Sequence, residues 1–187
     1  MKKISINLIA LLCLIFTFSS CLTYEKKETT VKFEGKNRGT LTVKYTDIRS
    51  SFSPDEGTSI NEQTLADYQS LIDDYLKGDK LMEDFPHAEI QSKRLFEENG
   101  KLCGEVIFRF STLEEIKIMQ YEENGPYLYS VISFDEELEE TNGKMGPDYF
   151  PAIYWENSSN PLSFTMVTTE DNNEKTSLLE LWKKDNH

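Results

Sequence analysis

The chain has 187 residues, of which 38% are hydrophobic and 28% are charged, and its formal net charge is −13 because 33 acidic side chains outnumber 20 basic ones. This composition is typical of one globular domain, and it excludes a disordered, collagen-like or disulfide-rich chain. The acidic balance argues against nucleic acid as a partner, since that affinity comes from clustered lysines and arginines.

The first segment of the chain has the features of a signal peptide. Two lysines follow Met1, and the 15 residues from 4 to 18 are apolar apart from three polar side chains. A helix needs about 20 apolar residues to span a bilayer, so this segment suits a cleaved signal better than a permanent anchor. We therefore predict that residues 1–20 are a signal peptide.

The end of this segment, Phe18-Ser19-Ser20-Cys21, resembles the lipobox of bacterial lipoproteins. A lipobox places a large apolar residue and two small residues before an invariant cysteine, and Phe18 stands where leucine is more usual. The resemblance implies that the chain is cut before Cys21 and that Cys21 is diacylated on its sulfur and acylated on its new amino group. Two or three acyl chains form a stable anchor. A plain secretory signal with a chance cysteine and an uncleaved anchor are the alternatives.

The expected location is the cell envelope. After cleavage the chain would keep 18 basic and 33 acidic side chains. Such an acidic body repels anionic headgroups, so the acyl chains on Cys21 would hold it at the membrane. Leu22 replaces the Asp that retains some lipoproteins in the inner membrane, and we therefore expect the outer membrane where a cell has two.

The body of the protein is expected to begin at Val31. Residues 21–30 comprise the lipidated cysteine and a polar, aperiodic stretch, which we interpret as a tether. Residues 31–187 are predicted to form a single domain. From Val31 apolar and polar residues alternate with a period of two, with a turn at 35–39, which indicates a β-hairpin.

A helix is predicted to begin after Ser59. Ser59 and Glu62 have the spacing of a capping box, and the pattern continues to Gly78. Apolar residues recur at helical spacing at Leu65, Tyr68, Leu71, Ile72, Tyr75 and Leu76. The opposite side carries acids expected to be solvated, namely Glu62, Asp67, Asp73 and Asp74.

A second hairpin is predicted over residues 89–98 and 101–110, joined by Asn99-Gly100. That dipeptide readily adopts the positive φ angles of a tight hairpin turn. A short helix is expected after Ser111.

Strands are then predicted at 127–134, in the segment ending at Trp155 and at 162–168, followed by a terminal helix around Leu179. The order ββα ββα βββ α predicts an α+β fold. It indicates a single two-layer domain in which an antiparallel sheet of about six or seven strands has helices on one face. This order resembles that of small α+β envelope lipoproteins, a resemblance that transfers neither function nor site residues.

The chain offers little reactive chemistry. Its histidines are His87 and the terminal His187, and it has no Gly-rich phosphate loop, HExxH or CxxC motif. Cys103 lies on a predicted strand and is expected to pack as a small apolar side chain rather than act as a nucleophile. We therefore predict no catalytic residue, no metal and no cofactor.

An acidic run at residues 135–140 contains five acids in six positions. Adjacent side chains without the glycine-punctuated spacing of a calcium loop favour a solvated loop or strand end, with weak binding of divalent cations as the alternative.

Aromatic residues are dense between 121 and 155, and packing in strands explains most of them. Strand alternation cannot bury every one of the neighbours Tyr149, Phe150, Tyr154 and Trp155 on a sheet with one buried face, so we predict that they form a binding surface. The alternative is that Tyr154 and Trp155 alternate between core and surface and that Phe150 closes the end of the sheet.

The sequence favours a noncatalytic, lipid-anchored envelope protein that binds a protein or another envelope partner. A module that binds a small ligand or lipid between the sheet and the helices is the alternative. A carboxylate-based envelope hydrolase ranks third.

Overall fold

The computed structural model describes residues 22–52, 59–147, 149–169 and 173–186. Within these residues, helices and mostly antiparallel strands form an α+β fold, as predicted. The predicted signal peptide and Cys21 lie outside the described residues. The helices are α1 Ile60–Ser70 and α2 Leu179–Asn186, and the strands are β1 Leu22–Thr23, β2 Lys26–Gly35, β3 Arg38–Thr46, β4 Arg49–Phe52, β5 Glu89–Glu98, β6 Lys101–Phe110, β7 Tyr127–Ser130, β8 Glu136–Thr141, β9 Lys144–Met145, β10 Ala152–Trp155, β11 Leu162–Thr168 and β12 Glu174–Ser177.

Six strands form the main sheet, in the order β5-β6-β3-β2-β11-β8. Neighbouring strands are antiparallel, and Val31 pairs with Leu41, which pairs with Phe108. These three side chains are buried on the same side, which we call the inner face. Alternate residues such as Thr42 and Lys44 point to the outer face, where they are only half-buried.

The second hairpin is confirmed, with β5 and β6 ending at the predicted residues. Asn99 and Gly100 have φ angles of 53° and 74°, the left-handed conformation that the tight turn requires. The predicted strand at 162–168 is likewise confirmed as β11. Local turn chemistry and strict alternation were sufficient signals in these segments.

The predicted tether is wrong for the described residues 22–30. Leu22–Thr23 pairs with β4, and β2 begins at Lys26 rather than at Val31. The early part of β2 is polar, but β3 and β11 flank it and satisfy its backbone on both sides. Thr29 is buried there despite its hydroxyl group. The folded body therefore extends to the first residue that the structure describes.

Two small sheets accompany the main one, with strand orders β1-β4-β12 and β7-β10-β9. The strand predicted at 127–134 is shorter than expected, since β7 ends at Ser130. The predicted helix after Ser111 is a single 3₁₀ turn, Glu114–Ile116, which ends where Lys117 adopts a φ angle of 59°. Short or acidic strands such as β4, β8 and β12 lack the apolar alternation that reveals a strand.

The helix start after Ser59 is confirmed, including the reciprocal capping box with Glu62. α1 continues as a π-helical segment, Leu71–Lys77, which ends at Gly78 as predicted. Its buried side was partly mispredicted, because Leu65 is 57% exposed whereas Asp67 is 1% exposed. Asp67 is stabilised there by hydrogen bonds from Ser50 (2.5 Å) and Gln63 (2.9 Å).

The two ends of the inner face differ in how they are filled. At one end, which we call the packed end, large side chains from the main sheet meet those of β7 and β10. It comprises Phe33, Phe110, Tyr127, Ile153, Trp155 and Leu162. At the other end, which we call the open end, Lys27, Tyr45 and Gly104 lie side by side on β2, β3 and β6.

Candidate functional site

A cavity of about 330 Å³ lies at the open end of the inner face, and we call it the main cavity. Strands β2, β3, β5 and β6 form its floor, β1 lies on one side and residues 71–84 contribute the opposite wall. Its apolar lining consists of Leu22, Ile48, Leu71, Leu76, Leu81, Leu95 and Val106. Small-molecule sites have volumes of about 300–1,000 Å³, so the cavity is large enough for a small ligand.

The floor of the main cavity contains a glycine on β6, Gly104, next to two tyrosine rings. A Cβ atom at Gly104 would lie 3.0 Å from Ile48 Cδ1 and 3.4 Å from Leu95 Cδ2, so any side chain there would crowd the lining. Tyr45, the neighbour of Gly104 on β3, packs edge-on against Tyr24, with ring centroids 5.0 Å apart. The absence of a side chain at Gly104 thus lets Ile48 and Leu95 pack closely over β6, and Gly104 and Tyr45 both line the main cavity.

A polar network lies beside these rings. Lys27 Nζ is 2.6 Å from Glu136 Oε2, and the two side chains are only 21% and 14% exposed. The Tyr24 hydroxyl donates to Glu136 Oε1 at 2.8 Å. Because the charges are mutually neutralised and hydrogen-bonded, the network can remain at the cavity without an uncompensated charge.

A second cavity, of about 220 Å³, lies further along the inner face. Lys27, Tyr45 and Asp84 line both cavities, so these side chains separate the two spaces. Tyr129, Phe164 and Ile132 line only the second cavity. The open end therefore consists of two adjoining spaces with a polar partition.

Lys93 contributes a cation to the wall of the main cavity. Its half-buried ammonium donates to the backbone carbonyl groups of Tyr75 (3.0 Å) and Gly78, where the π-helical segment ends. An ammonium group has three N–H donors, so one remains for a ligand. Lys93 makes no salt bridge to a carboxylate in the described ranges, whereas Arg94 pairs with Glu105 at 2.8 Å.

Burial keeps the phenols of the open end in their neutral form. It raises the pKa of Tyr24, and the adjacent Glu136 carboxylate raises it further. Burial likewise raises the pKa of Tyr45 and Tyr75, and it raises the pKa of Tyr129 to about 12. These hydroxyl groups therefore remain hydrogen-bond donors throughout the physiological pH range.

The chemistry of this site suits binding. It combines an apolar wall, neutral phenols and Lys93, whose ammonium is not paired with any of the described carboxylates. These are the groups that hold an apolar body and a polar or anionic head. In the ranges that the structure describes, no group of three or more His, Cys, Asp or Glu side chains is arranged to hold a metal ion.

The four aromatics predicted as a binding surface do not lie on one surface. Trp155 is 2% exposed, and its indole N–H donates to Asn142 Oδ1 at 2.7 Å, so its assignment to a surface is wrong. Tyr154 is half-buried, with its ring centroid 6.4 Å from that of Phe150. Tyr149 and Phe150 are 89% and 39% exposed. Strand alternation in β10 explains the burial of Trp155.

The remaining candidates also have defined positions. Cys103 is fully buried on the outer face of β6, as expected of a packed thiol, and His87 is exposed. The acidic run at 135–140 is largely an edge strand, β8, with Glu136 and Glu139 paired to Lys27 and Lys26. The expected loop or strand end is therefore an ordered strand that forms ion pairs.

Sequence reasoning missed the residues that line the open end, above all Tyr24, Lys27, Tyr45, Lys93 and Glu136. Tyr24 and Lys27 were assigned to a tether, and Glu136 was one of several acids in a run. A period-two pattern extended backwards from Val31 would place Lys27 and Thr29 on the same face as Val31, which is a weak but usable signal.

Comparisons with known proteins supply no identity for the chain, since it matches no family model, no curated protein and no solved structure. Among the described helices, none is long and apolar enough to cross a membrane. A functional assignment therefore depends on the geometry of the open end.

Proposed function

We propose that this protein is a noncatalytic, lipid-anchored protein of the bacterial cell envelope that binds a small amphipathic ligand in the main cavity. The observation that carries the proposal is the main cavity, an apolar space of about 330 Å³ with Lys93 and three tyrosines in its lining. Ligand binding was the alternative function predicted from the sequence, and an apolar cavity between sheet and helix favours it.

The lining supports an elongated ligand with an apolar body. One wall of the main cavity is formed by residues 71–84, which contribute Leu71, Leu76 and Leu81. The main sheet contributes Leu95 and Val106. Burying apolar ligand surface between these side chains is favourable by about 25 cal/mol per Å². A flexible acyl chain is an apolar body that can adapt to such a lining.

The polar groups support an anionic or strongly polar head. The third N–H of Lys93 is the proposed donor to it, because Lys27 already pairs with Glu136, Lys80 with Glu83 and Arg94 with Glu105. The ligand class that fits is a small amphiphile such as a fatty acid.

The proposal includes a two-layer arrangement in which helices cover one end of the inner face. Tyr68 and Leu71 pack in one cluster with Leu178, Leu179 and Leu102, and Leu102 lies on the inner face of β6. Such a layer would shield the ligand from water.

The anchor is proposed to be the acylated Cys21, which would hold the protein in the outer membrane where a cell has two. Changing Cys21→Ala should move the protein out of the membrane fraction or leave it unprocessed. Unchanged acylation and membrane retention in this variant would refute the anchor.

Ligand binding can be tested by native mass spectrometry of the mature protein, released from detergent micelles after incubation with palmitic acid. We expect a one-to-one adduct that Leu76→Trp, which fills the main cavity, reduces at least tenfold. Leu181→Trp is the matched control, since Leu181 is also half-buried but lines neither cavity. Equal adducts in wild type and both variants would contradict binding at this cavity.

A protein partner at the exposed aromatics is the second candidate function, favoured by the 89% exposure of Tyr149. A pull-down from envelope extract with Tyr149→Ala and wild-type protein tests it. A specific protein captured by wild type but not by the variant would support this candidate, and identical captures would dismiss it.

A further inference from the structure

We propose that an apolar surface at the open end enters the bilayer that holds Cys21, so that the two cavities lie against the membrane. This surface, which we call the apolar tip, comprises Ile132, Phe134, Tyr149 and Phe150. The inference rests on the proposed anchoring through Cys21 and adds to it a second, non-covalent membrane contact with a defined orientation.

The exposure of the apolar tip is unusual for such large side chains. Phe134 is 96% exposed and Ile132 is 70% exposed, and both lie in the loop between β7 and β8. Tyr149 and Phe150 lie in the loop between β9 and β10. The two loops are adjacent because the Val131 N–H donates to the Pro151 carbonyl at 3.1 Å. Large apolar side chains exposed on two adjacent loops are typical of a contact with a membrane or a partner.

The position of the apolar tip relative to the anchor favours the membrane. Tyr24 lies three residues after Cys21, and its hydroxyl binds Glu136, two residues beyond Phe134. Two backbone hydrogen bonds hold the same segments together: the Thr169 N–H donates to the Asp135 carbonyl, and the Thr168 N–H donates to the Glu25 carbonyl. Three residues span at most about 11 Å, so acyl chains on Cys21 and the Phe134 ring must lie at the same end of the molecule.

The residue types of the apolar tip also suit a bilayer surface. Aromatic rings such as those of Phe134 and Tyr149 are favoured at the level of the lipid headgroups. The acidic neighbours Asp135 and Glu137 oppose contact with anionic lipids, so the expected surface is zwitterionic.

The cavities are continuous with this end of the molecule. Leu22, the residue after Cys21, lines the main cavity, and Ile132 lines the second one. If the apolar tip is inserted, an amphiphile can pass between the bilayer and the cavities without crossing water. The proposed orientation therefore gives the ligand site direct access to lipid.

The test uses the full-length, lipidated protein in phosphatidylcholine vesicles with or without brominated acyl chains, which quench nearby tryptophan. Phe134→Trp reports on the apolar tip. Tyr121→Trp is the matched control, since Tyr121 is 74% exposed but precedes β7 on the side of the packed end. We expect at least twofold quenching of the added emission for Phe134→Trp and none for Tyr121→Trp, after subtraction of the wild-type signal.

The outcomes separate this inference from the proposed anchor. If the protein floats with the vesicles but Phe134→Trp is not quenched, the apolar tip faces away from the bilayer, and the inference is overturned while the anchor stands. Protection of the same tryptophan by a protein from envelope extract would then identify a protein partner instead. If the protein does not float at all, the anchor fails and the inference fails with it.

Discussion

The packed end and the open end of the inner face belong to the same sheet but bury their side chains differently. At the packed end, Phe110, Ile153 and Trp155 are at most 2% exposed, and none of them lines either of the two cavities described above. At the open end, Gly104 and Tyr45 border unfilled space. Unfilled apolar space lowers stability, and interiors normally contain few voids larger than a water molecule. Such unfilled space is what the proposed ligand binding at the open end requires.

The largest effect is expected from Trp155→Ala at the packed end. Removing this buried indole should lower the free energy of unfolding by about 3–5 kcal/mol, because it leaves a cavity and removes one of the hydrogen bonds to Asn142 Oδ1. Leu76→Ala at the open end should cost about 1 kcal/mol or less, since Leu76 is half-buried beside existing space. Urea denaturation measures both values. Similar losses for the two variants would show that the ends do not differ in packing.

A smaller effect is expected from Glu136→Gln, which removes the carboxylate charge that Lys27 pairs with at the partition between the cavities. The loss of a shielded carboxylate should reduce the free energy of unfolding by about 1–3 kcal/mol. Glu139→Gln is the matched control on the same strand, because the Glu139–Lys26 pair is 42% and 35% exposed. We expect a distinctly smaller loss for the control, measured by urea denaturation. Equal losses would mean that shielding at the open end does not strengthen the Lys27–Glu136 pair.

Cys103→Ser tests whether the thiol behind the floor of the main cavity has only a packing role. A hydroxyl group introduced at this fully buried position should cost about 1–2 kcal/mol of unfolding free energy. Ligand binding should be unchanged, because Cys103 points to the outer face. Loss of the palmitic acid adduct at an unchanged melting temperature would assign Cys103 a role in function.

The smallest effect concerns the pH dependence of stability at the open end. A hydrogen bond from Lys101 lowers the pKa of Glu25 below its ordinary value of 4.5. The unfolded chain then binds more protons than the folded one, so this pair stabilises the protein above about pH 4.5 and ceases to do so as the pH falls through the folded pKa. Thermal unfolding of wild type and Lys101→Gln should differ slightly at pH 7, and the difference should shrink as the pH falls below 4.5. A difference that grows at low pH would contradict this sign.

The sequence allowed prediction of elements whose signals are local. The Asn99-Gly100 turn and the capping box at Ser59 and Glu62 each need only a few adjacent residues, and both are present in the structure. The early part of β2 could not be predicted from local pattern, because its polar residues are accommodated by strands that follow much later in the chain.

The open end was beyond sequence reasoning for the same reason. Lys27 and Glu136 are more than a hundred residues apart and meet only because β11 lies between β2 and β8. Of the aromatics predicted to form a binding surface, Tyr149 and Phe150 are exposed. Trp155 was misassigned because the direction of its side chain depends on the register of β10 with β7.

The most direct test of ligand binding at the open end is photo-crosslinking with a palmitic acid analogue that carries a diazirine in its acyl chain. After irradiation with the mature, lipidated protein, peptide mass spectrometry should find the label on residues 71–84 and on β6 around Gly104, and excess palmitic acid should suppress it. Label confined to other segments, or label that excess palmitic acid does not reduce, would contradict the account.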